Sequence, residues 1–205
     1  MRILSNVSWG SLAVAGWLLA SCAGKAPVVA DYEIVPIPRE IAVEQEKPFL
    51  LKEGTAIHYT PDNERMRRNA EFLASYVERQ TGIRLEVKEG GEEGKGILLT
   101  LGLEADNPEA YTLEVNQDRV TIAAPTEAGV FYGIQTLLQL LPVEIFQTEV
   151  QPVSWTVPGV QIEDYPRFGW RGFSLDVCRQ VYSVDFIKNC IDWLAMHKMN
   201  VFHWH

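Results

Sequence analysis

Basic residues are scarce in this sequence, and no long basic stretch interrupts its acidic balance. Lys and Arg number 18 against 27 Asp and Glu, which gives a formal net charge of −9 at pH 7. A protein that binds nucleic acid needs a basic surface to neutralise phosphates, so nucleic acid is not an expected partner. Of the 205 residues, 47% are hydrophobic and 22% are charged, a composition typical of folded domains rather than of a disordered chain.

Long hydrophobic runs are also absent. The apolar segment Leu12–Ala20 is about half as long as the ~20 residues that a membrane-spanning helix needs. It follows Arg2 and precedes small residues, which is the pattern of an export signal. Its end, Leu19–Cys22, resembles a bacterial lipobox, in which the cysteine is lipidated and becomes the first residue of the mature protein. The alternative is an ordinary signal peptide followed by a coincidental cysteine.

The resulting division assigns residues 1–22 to a lipoprotein signal and residues 23–31 to a short tether. Ala23 follows Cys22, whereas an Asp at that place would indicate retention in the inner membrane. We therefore expect an exported lipoprotein of the outer membrane, attached through the lipid on Cys22 and facing either the periplasm or the exterior. The sequence does not indicate an oligomeric state.

Cysteine is rare, with three in all. Besides Cys22 there are Cys178 and Cys190, which can pair only if the fold brings them to disulfide geometry. Cys190 lies on an apolar stripe of a predicted helix, together with Ile187 and Leu194. We therefore interpret Cys190 as a core thiol, with a disulfide as the alternative.

Residues 32–158 alternate strand-like and helix-like segments, which predicts an α+β sandwich. The first helix is expected to have Thr60 as its N-cap and Pro61 at its first position, and to end at Gly82. Residues 111–124 predict a β-hairpin, because two alternating segments flank a polar turn.

Prolines and glycines cluster in residues 157–172, which we interpret as the boundary of a second domain over residues 159–205. Its predicted elements are a strand over 171–177, an amphipathic helix over 183–198 capped by Ser183, and a strand over 200–205. This order is a βαβ unit, which implies a parallel sheet or barrel. Because one such unit cannot bury its own faces, we expect the 205 residues to end inside this domain.

Two groups of residues in the second domain suggest a site. Asp176 ends a predicted strand and Arg179 follows in the loop, at the edge where α/β barrels build active sites. The alternative is a structural ion pair. His203 and His205 lie on the same side of a strand, where both imidazoles could bind one metal ion, although two ligands do not make a site.

Three tryptophans lie in the same region. Trp170 and Trp204 are candidate platforms for stacking on a sugar, whereas Trp193, on the predicted helix, is more typical of packing.

Taken together, residues 163–205 resemble the opening of the catalytic barrel of family 20 glycoside hydrolases, the β-N-acetylhexosaminidases. The segments that carry the resemblance are Pro166–Phe168, Arg171–Gly172, Asp176–Gln180 and Lys198–His205. Residues 111–142 are similar to the α/β domain that precedes the barrel in that family. The resemblance implies an α+β domain followed by the first βαβ unit of a (β/α)8 TIM barrel.

The resemblance also implies roles for single residues. Arg179 corresponds to the arginine that binds the hydroxyls of the terminal sugar, and Arg171 is more typical of an anchor for the first strand. His203 and His205 become part of the barrel wall and its polar lining, so neither a metal nor another cofactor is expected. Cys178 stands where the family usually has Ser, and Gln180 where it has His, which leaves the sugar preference open.

The family hydrolyses terminal, non-reducing β-linked N-acetylglucosamine or N-acetylgalactosamine with retention, and the acetamido oxygen of the substrate attacks C1. An adjacent Asp-Glu pair on a later barrel strand orients the acetamido group and serves as the acid and base. That pair lies beyond His205, so we expect no catalytic residue within this chain and no activity from the 205 residues alone. Glu163-Asp164 is adjacent but falls in the boundary segment and is not assigned this role.

Two other function classes stay open at this point. A metal-dependent amidohydrolase barrel also carries a His-x-His strand, but it does not account for the segment from Asp176 to Arg179. A surface lipoprotein that binds glycans through an inactive barrel is the second alternative. An adjacent Asp-Glu pair on a later strand is expected only for the hexosaminidase.

Overall fold

The computed structural model describes residues 32–44, 47–91 and 94–205. The expected signal, the tether and Cys22 lie outside these residues. The strands are β1 Glu40–Val43, β2 Phe49–Leu50, β3 Ala56–Tyr59, β4 Glu86–Glu89, β5 Gly96–Leu101, β6 Tyr111–Val115, β7 Arg119–Ala124, β8 Thr156–Val157, β9 Val160–Asp164, β10 Gly172–Leu175 and β11 Val201–Trp204. The helices are α1 Glu64–Thr81, α2 Glu127–Leu140, α3 Val184–Met196 and a 3-10 helix at Val143–Phe146. None of the described helices is long and apolar enough to cross a membrane.

Seven strands form one mixed sheet in the order β1-β9-β6-β7-β5-β3-β4. Strands β3, β4, β5 and β7 run parallel, whereas β6 is antiparallel to β7 and β9. Helix α1 packs against β3 and β4, helix α2 packs against β5, β6 and β7, and the two helices contact each other. They therefore cover the same face of the sheet, and the prediction of a two-layer α+β domain is confirmed, as is the hairpin formed by β6 and β7.

The boundary expected after residue 158 is wrong. Strand β9 lies inside the sheet, between β1 and β6, so this layer continues to Asp164. Val160 and Ile162 are buried, and the residues between and after them are more exposed, which is the alternation of a strand with one covered face. Pro158 and Gly159 separate β8 from β9 within the domain, and they do not form a linker between domains.

The start of α1 also differs from the prediction. Asn63 is the N-cap, and its Oδ1 accepts hydrogen bonds from the backbone N–H groups of Arg65 and Met66 at 3.0 and 3.1 Å. The hydroxyl of Thr60 instead accepts from the Leu101 N–H at 3.0 Å, so it stabilises the sheet edge and leaves the helix end to Asn63. The predicted end is confirmed, because Gly82 adopts the left-handed conformation at φ 74°.

Helix α2 lies very close to the sheet because it carries two glycines on its inner side. A Cβ added at Gly133 would be 2.4 Å from Ile122 Cγ2, and one added at Gly129 would be 2.2 Å from the Ala110 carbonyl oxygen. Thr126 caps the helix by accepting from the Gly129 N–H. Most of α2 is buried, which makes it the central element of the core.

The second unit is the predicted βαβ. Strands β10 and β11 are parallel neighbours, and α3 connects them with Ser183 as its N-cap. In α3 only Ile187 and Cys190 are buried, which confirms the interpretation of Cys190 as a core thiol. Cys190 and Cys178 are both free.

Candidate functional site

The carboxyl ends of β10 and β11 meet at one edge. Beyond the last paired residues, the Val177 N–H donates to the His205 carbonyl at 2.9 Å, and the His205 N–H donates to the Leu175 carbonyl at 3.0 Å. This pairing places Asp176 beside His205, with 3.7 Å between Asp176 Oδ1 and His205 Nδ1. Backbone hydrogen bonds alone therefore fix the positions of the residues at the carboxyl ends of β10 and β11.

Asp176 organises the loop that follows β10. Its Oδ1 accepts from the backbone N–H groups of Cys178 and Arg179 at 2.9 and 3.2 Å. Its Oδ2 accepts from the Nε–H of Arg179 and forms an ion pair with Nη2 of the same side chain. The hydrogen bond from Arg179 holds the pKa of the Asp176 carboxyl below its ordinary value. Asp176 is thus ionised at neutral pH and holds both the loop and the guanidinium.

Arg179 lies at the edge where the sequence places it. Its side chain is 86% exposed, although Asp176 binds one side of the guanidinium. An arginine has five N–H donors. Here the Nε–H donates to Asp176 Oδ2, and Nη2 lies in ion-pair contact with the same oxygen. The remaining donors, on a preoriented planar group, suit two adjacent hydroxyls of a ligand. The structural ion pair between Asp176 and Arg179, which is the alternative to a binding role, is present. It orients the guanidinium of Arg179 and leaves most of that side chain exposed to solvent.

The two positions that depart from the family pattern flank Arg179. Cys178 is exposed. The Gln180 Oε1 accepts from the Tyr182 hydroxyl at 3.3 Å, and the Tyr182 ring stacks on Phe186 at 4.8 Å between centroids. Gln180 is therefore tied to the loop that leads into α3.

His203 and His205 lie on one side of β11, as predicted, with 6.1 Å between their ring centroids. Among the described residues, however, the group of potential metal ligands consists of Asp176, Cys178 and His205, whose ligand atoms lie within 4.8 Å of one another. His203 is not part of it. The His-x-His pair is therefore not the set of ligands that the fold brings together.

The three tryptophans are all exposed. Trp204 ends β11 with 60% exposure, and Trp170 lies over Gly172, where an added Cβ would be 2.5 Å from Trp170 Cζ2. Trp193 is 55% exposed on α3, and its expected packing role stays a prediction. No described contact assigns a sugar platform to any of them.

Arg171 joins the second unit to the first, as its predicted anchoring role requires. Its Nη1 and Nη2 donate to the two carboxylate oxygens of Glu109 at 2.8 and 3.1 Å, and its Nε donates to the Lys198 carbonyl at 2.8 Å. Nη2 also donates to the Tyr132 hydroxyl at 3.1 Å. This bidentate pair holds the pKa of Glu109 below its ordinary value of 4.5.

A second link between the units was missed by sequence reasoning. The Lys198 Nζ donates to Asp164 Oδ2 at 3.0 Å and to the Tyr111 hydroxyl at 2.7 Å. Tyr111 in turn donates to Asp164 Oδ2 at 2.9 Å and contacts Thr136 Oγ1 at 2.6 Å. Burial lowers the pKa of Lys198, against the opposing effect of Asp164. A lysine at the end of a predicted amphipathic helix is ordinarily solvated. The one signal in the sequence is the carboxylate of Asp164, in the segment that we interpret as a domain boundary.

The fold and this edge together define a class of protein. Two polar links, one partly buried and one buried, tie a mixed α/β domain to a parallel βαβ unit. A preoriented arginine lies at the carboxyl end of the first strand of that unit. This arrangement is typical of the start of an α/β domain that builds its site at the carboxyl ends of parallel strands.

Two family models match this chain in succession. Glycosyl hydrolase family 20, domain 2, matches residues 31–165, and the glycosyl hydrolase family 20 catalytic domain matches residues 168–205. The chain belongs to glycosyl hydrolase family 20. The division between the two models falls just after β9, in agreement with the corrected boundary.

Relatives and solved structures agree with this family. The chain is similar to a beta-hexosaminidase of Porphyromonas gingivalis, with 38% identity over 91% of this chain and 25% of the relative. A beta-N-acetylhexosaminidase of Cellulomonas fimi is 33% identical over 85% of this chain and 34% of the relative. A mutant beta-hexosaminidase of Streptomyces plicatus, in complex with the product GlcNAc, superposes with a TM-score of 0.80 and 38% identity, covering 88% of this chain and 36% of that one. The chain thus spans about a quarter to a third of these relatives.

Proposed function

We propose that this chain is part of an enzyme that removes terminal, non-reducing β-linked N-acetylglucosamine or N-acetylgalactosamine from glycans. The observation that carries the proposal is Arg179, which Asp176 holds in an exposed orientation at the carboxyl end of β10. The match of residues 168–205 to the family's catalytic domain supports it. The family assignment does not favour the amidohydrolase or the inactive glycan-binding barrel.

In this function the described residues bind the sugar and do not perform the chemistry. Arg179 donates to two neighbouring ring hydroxyls of the terminal sugar, and Asp176 keeps the guanidinium in place. Such binding positions C1 and the acetamido group together, so the attacking oxygen is already tethered next to the bond that breaks. The acetamido oxygen forms a bond to C1 as the glycosidic bond breaks, a protein acid protonates the leaving oxygen, and water then opens the cyclic intermediate. The carboxylates for those steps are expected on later barrel strands.

The proposal is tested by the kinetics of Arg179 variants in the protein over its whole encoded length. Charge-assisted hydrogen bonds contribute about 1.5–3 kcal/mol each, so Arg179→Ala should lower kcat/KM by roughly ten- to a hundred-fold or more on an aryl N-acetyl-β-glucosaminide. Arg179→Lys should recover little, because an ammonium cannot replace the planar fork of donors. An aryl β-glucoside without the acetamido group should be a far poorer substrate for the unaltered protein.

Arg171→Lys is the matched control. It removes the same kind of fork from the link between the units, so it should lower the melting temperature more than kcat/KM. If Arg179→Ala folds normally and keeps near wild-type kcat/KM, the assignment of the sugar-binding arginine is wrong. Equal turnover of the glucoside and the N-acetylglucosaminide would contradict the substrate-assisted mechanism.

The proposal includes attachment of the exported protein to the outer membrane through lipid on Cys22, which rests on the sequence from Leu19 to Cys22 alone. Two acyl chains give durable attachment, because each buried methylene contributes about 0.8 kcal/mol. Membrane fractionation should find the wild type in the membrane and Cys22→Ala in the soluble fraction. Equal recovery of both proteins in the soluble fraction would show that Cys22 is not an anchor.

A further inference from the structure

The loop after β10 and the residue after β11 bring three different types of metal ligand together. The ligand atoms of Asp176, Cys178 and His205 lie within 4.8 Å of one another. Two ligand atoms at tetrahedral angles on a zinc ion are about 3.4 Å apart, given bonds of about 2.1 Å. His205 Nδ1 and Asp176 Oδ1, at 3.7 Å, already have nearly this separation. We propose that Asp176, Cys178 and His205 bind a zinc ion, with water in the fourth position.

The backbone preorganises this group. The pairing of Val177 with His205, and of His205 with Leu175, fixes two of the ligand-bearing positions on adjacent strands. The third is fixed because the Cys178 N–H donates to Asp176 Oδ1, which turns the loop back toward the strand end. Cys178 and His205 are exposed and Asp176 is partly buried. To bind the metal, Asp176 Oδ1 exchanges one of its two backbone hydrogen bonds for it.

The ligand types select the cation. A thiolate, an imidazole and a carboxylate are the ligands of zinc sites with one open position, whereas Ca²⁺ and Mg²⁺ take oxygen ligands. The thiol of Cys178 loses its proton to solvent when the sulfur coordinates the metal, so binding weakens as the pH falls. Serine, the usual family residue at this position, would be a much poorer zinc ligand. Zinc binding at this site therefore depends on the thiolate of Cys178.

Zinc and the guanidinium of Arg179 compete for the carboxylate of Asp176. The Asp176 Oδ2 binds the guanidinium of Arg179, and a cation on the Asp176 carboxylate would repel that guanidinium and weaken the pair. This consequence rests on the proposed function: zinc displaces the arginine that holds the sugar and inhibits hydrolysis reversibly.

Cobalt is the spectroscopic probe for the site, used with the protein over its whole encoded length. Co²⁺ bound to a thiolate gives a charge-transfer absorption band in the near ultraviolet, which we expect in the wild type and not in Cys178→Ser. Zinc affinity, measured by competition with a chromophoric chelator, should fall at least about tenfold in Cys178→Ser and His205→Gln, because removal of even an outer-shell partner costs that much. His203→Gln is the matched control on the same strand and should bind zinc like the wild type.

A measurement on the unaltered protein tests the site even if the variants do not fold. Zinc should protect Cys178 from alkylation, as read by mass spectrometry of the peptide that contains it. No cobalt-thiolate band, no protection of Cys178, or loss of binding in His203→Gln but not in Cys178→Ser would overturn the site.

Kinetics separate this proposal from the proposed function. Zinc should inhibit the wild type at concentrations at least about tenfold lower than it inhibits Cys178→Ser, in parallel with the affinities. Metal binding without any hexosaminidase turnover would reject the proposed function and leave the site intact. Turnover that zinc inhibits equally in both proteins would reject inhibition through this site and leave the proposed function intact.

Discussion

At the scale of single residues, Glu109 connects the two units through Arg171, and both side chains are 17% exposed. Glu109 also accepts hydrogen bonds from Tyr132 and Asn200. Hydrogen bonds to charged groups contribute about 1.5–3 kcal/mol, so Glu109→Gln should lower the free energy of unfolding by an amount of that order at pH 7.

The pH dependence of stability follows from the same residue. The pKa of Glu109 is lowered in the folded chain, first by the hydrogen bond from Arg171, so the unfolded chain takes up the proton first as the pH falls. The stabilisation is fully present above the ordinary pKa of 4.5 and is lost as the pH falls through the lowered pKa of the folded chain. Urea unfolding from neutral to acidic pH should show a smaller loss of stability for Glu109→Gln than for the wild type. Glu104→Gln, at an exposed position, is the control. An effect on the pH profile equal to that of Glu109→Gln would contradict the assignment.

Sequence reasoning at this scale found the residues that follow strand ends and missed those that become buried through tertiary contact. Asp176, Arg179 and Arg171 were identified because their order along the chain places them beside a strand. Lys198 and Asp164 were not, because nothing local distinguishes a lysine that will be buried against a tyrosine from one that will be solvated. The Asp176, Cys178 and His205 group was missed for the same reason, since the pairing of two strands brings it together.

At the scale of elements, the glycines of α2 determine how closely the helix approaches the sheet. Gly133→Ala would place a methyl group 2.4 Å from Ile122 Cγ2. The helix would have to move outward, at a cost of about 1–3 kcal/mol typical of overpacked cores. Urea or thermal unfolding should show this loss for Gly133→Ala. Gly169→Ala, where an added Cβ meets nothing within 4 Å, is the control and should be neutral or slightly stabilising.

The helices and strands could largely be predicted, because the spacing of apolar residues in the sequence matches the period of each element. The helices end at residues with clear chemistry, such as Gly82, and the βαβ unit follows from Ser183 and the alternating strands. Strand β9 was missed because the Pro158-Gly159 turn resembles a linker, even though Val160 and Ile162 alternate correctly. The N-cap of α1 was misplaced because Thr60 and Asn63 are both good caps, and only the sheet contact of Thr60 decides between them.

At the scale of the whole molecule, the two units differ in how much of their surface they bury. The first has a continuous core between its sheet and two helices, whereas in the second the buried residues are few: Leu175, Ile187, Cys190 and Lys198. In the 205 residues expressed alone, hydrogen exchange should be slow over residues 32–164 and fast over residues 171–205. The same preparation should show no turnover of an aryl N-acetyl-β-glucosaminide above a buffer blank. Uniform protection up to His205, or measurable turnover, would contradict this expectation.

The position of β9 also determines the order in which the first domain can form during synthesis. Its first residue, Val160, pairs with Val43 on one side and with Val115 on the other. Strand β1 therefore has no partner in the sheet until residues more than a hundred positions later have been made. Such distant pairings slow folding, because a long loop must close before the contact forms. The ribosome must therefore release the chain as far as Asp164 before the sheet is complete, and the first strand of the second unit emerges only a few residues later. A nascent chain stalled before Val160 would carry β1 as an unpaired strand, available to chaperones or to the edge of another molecule.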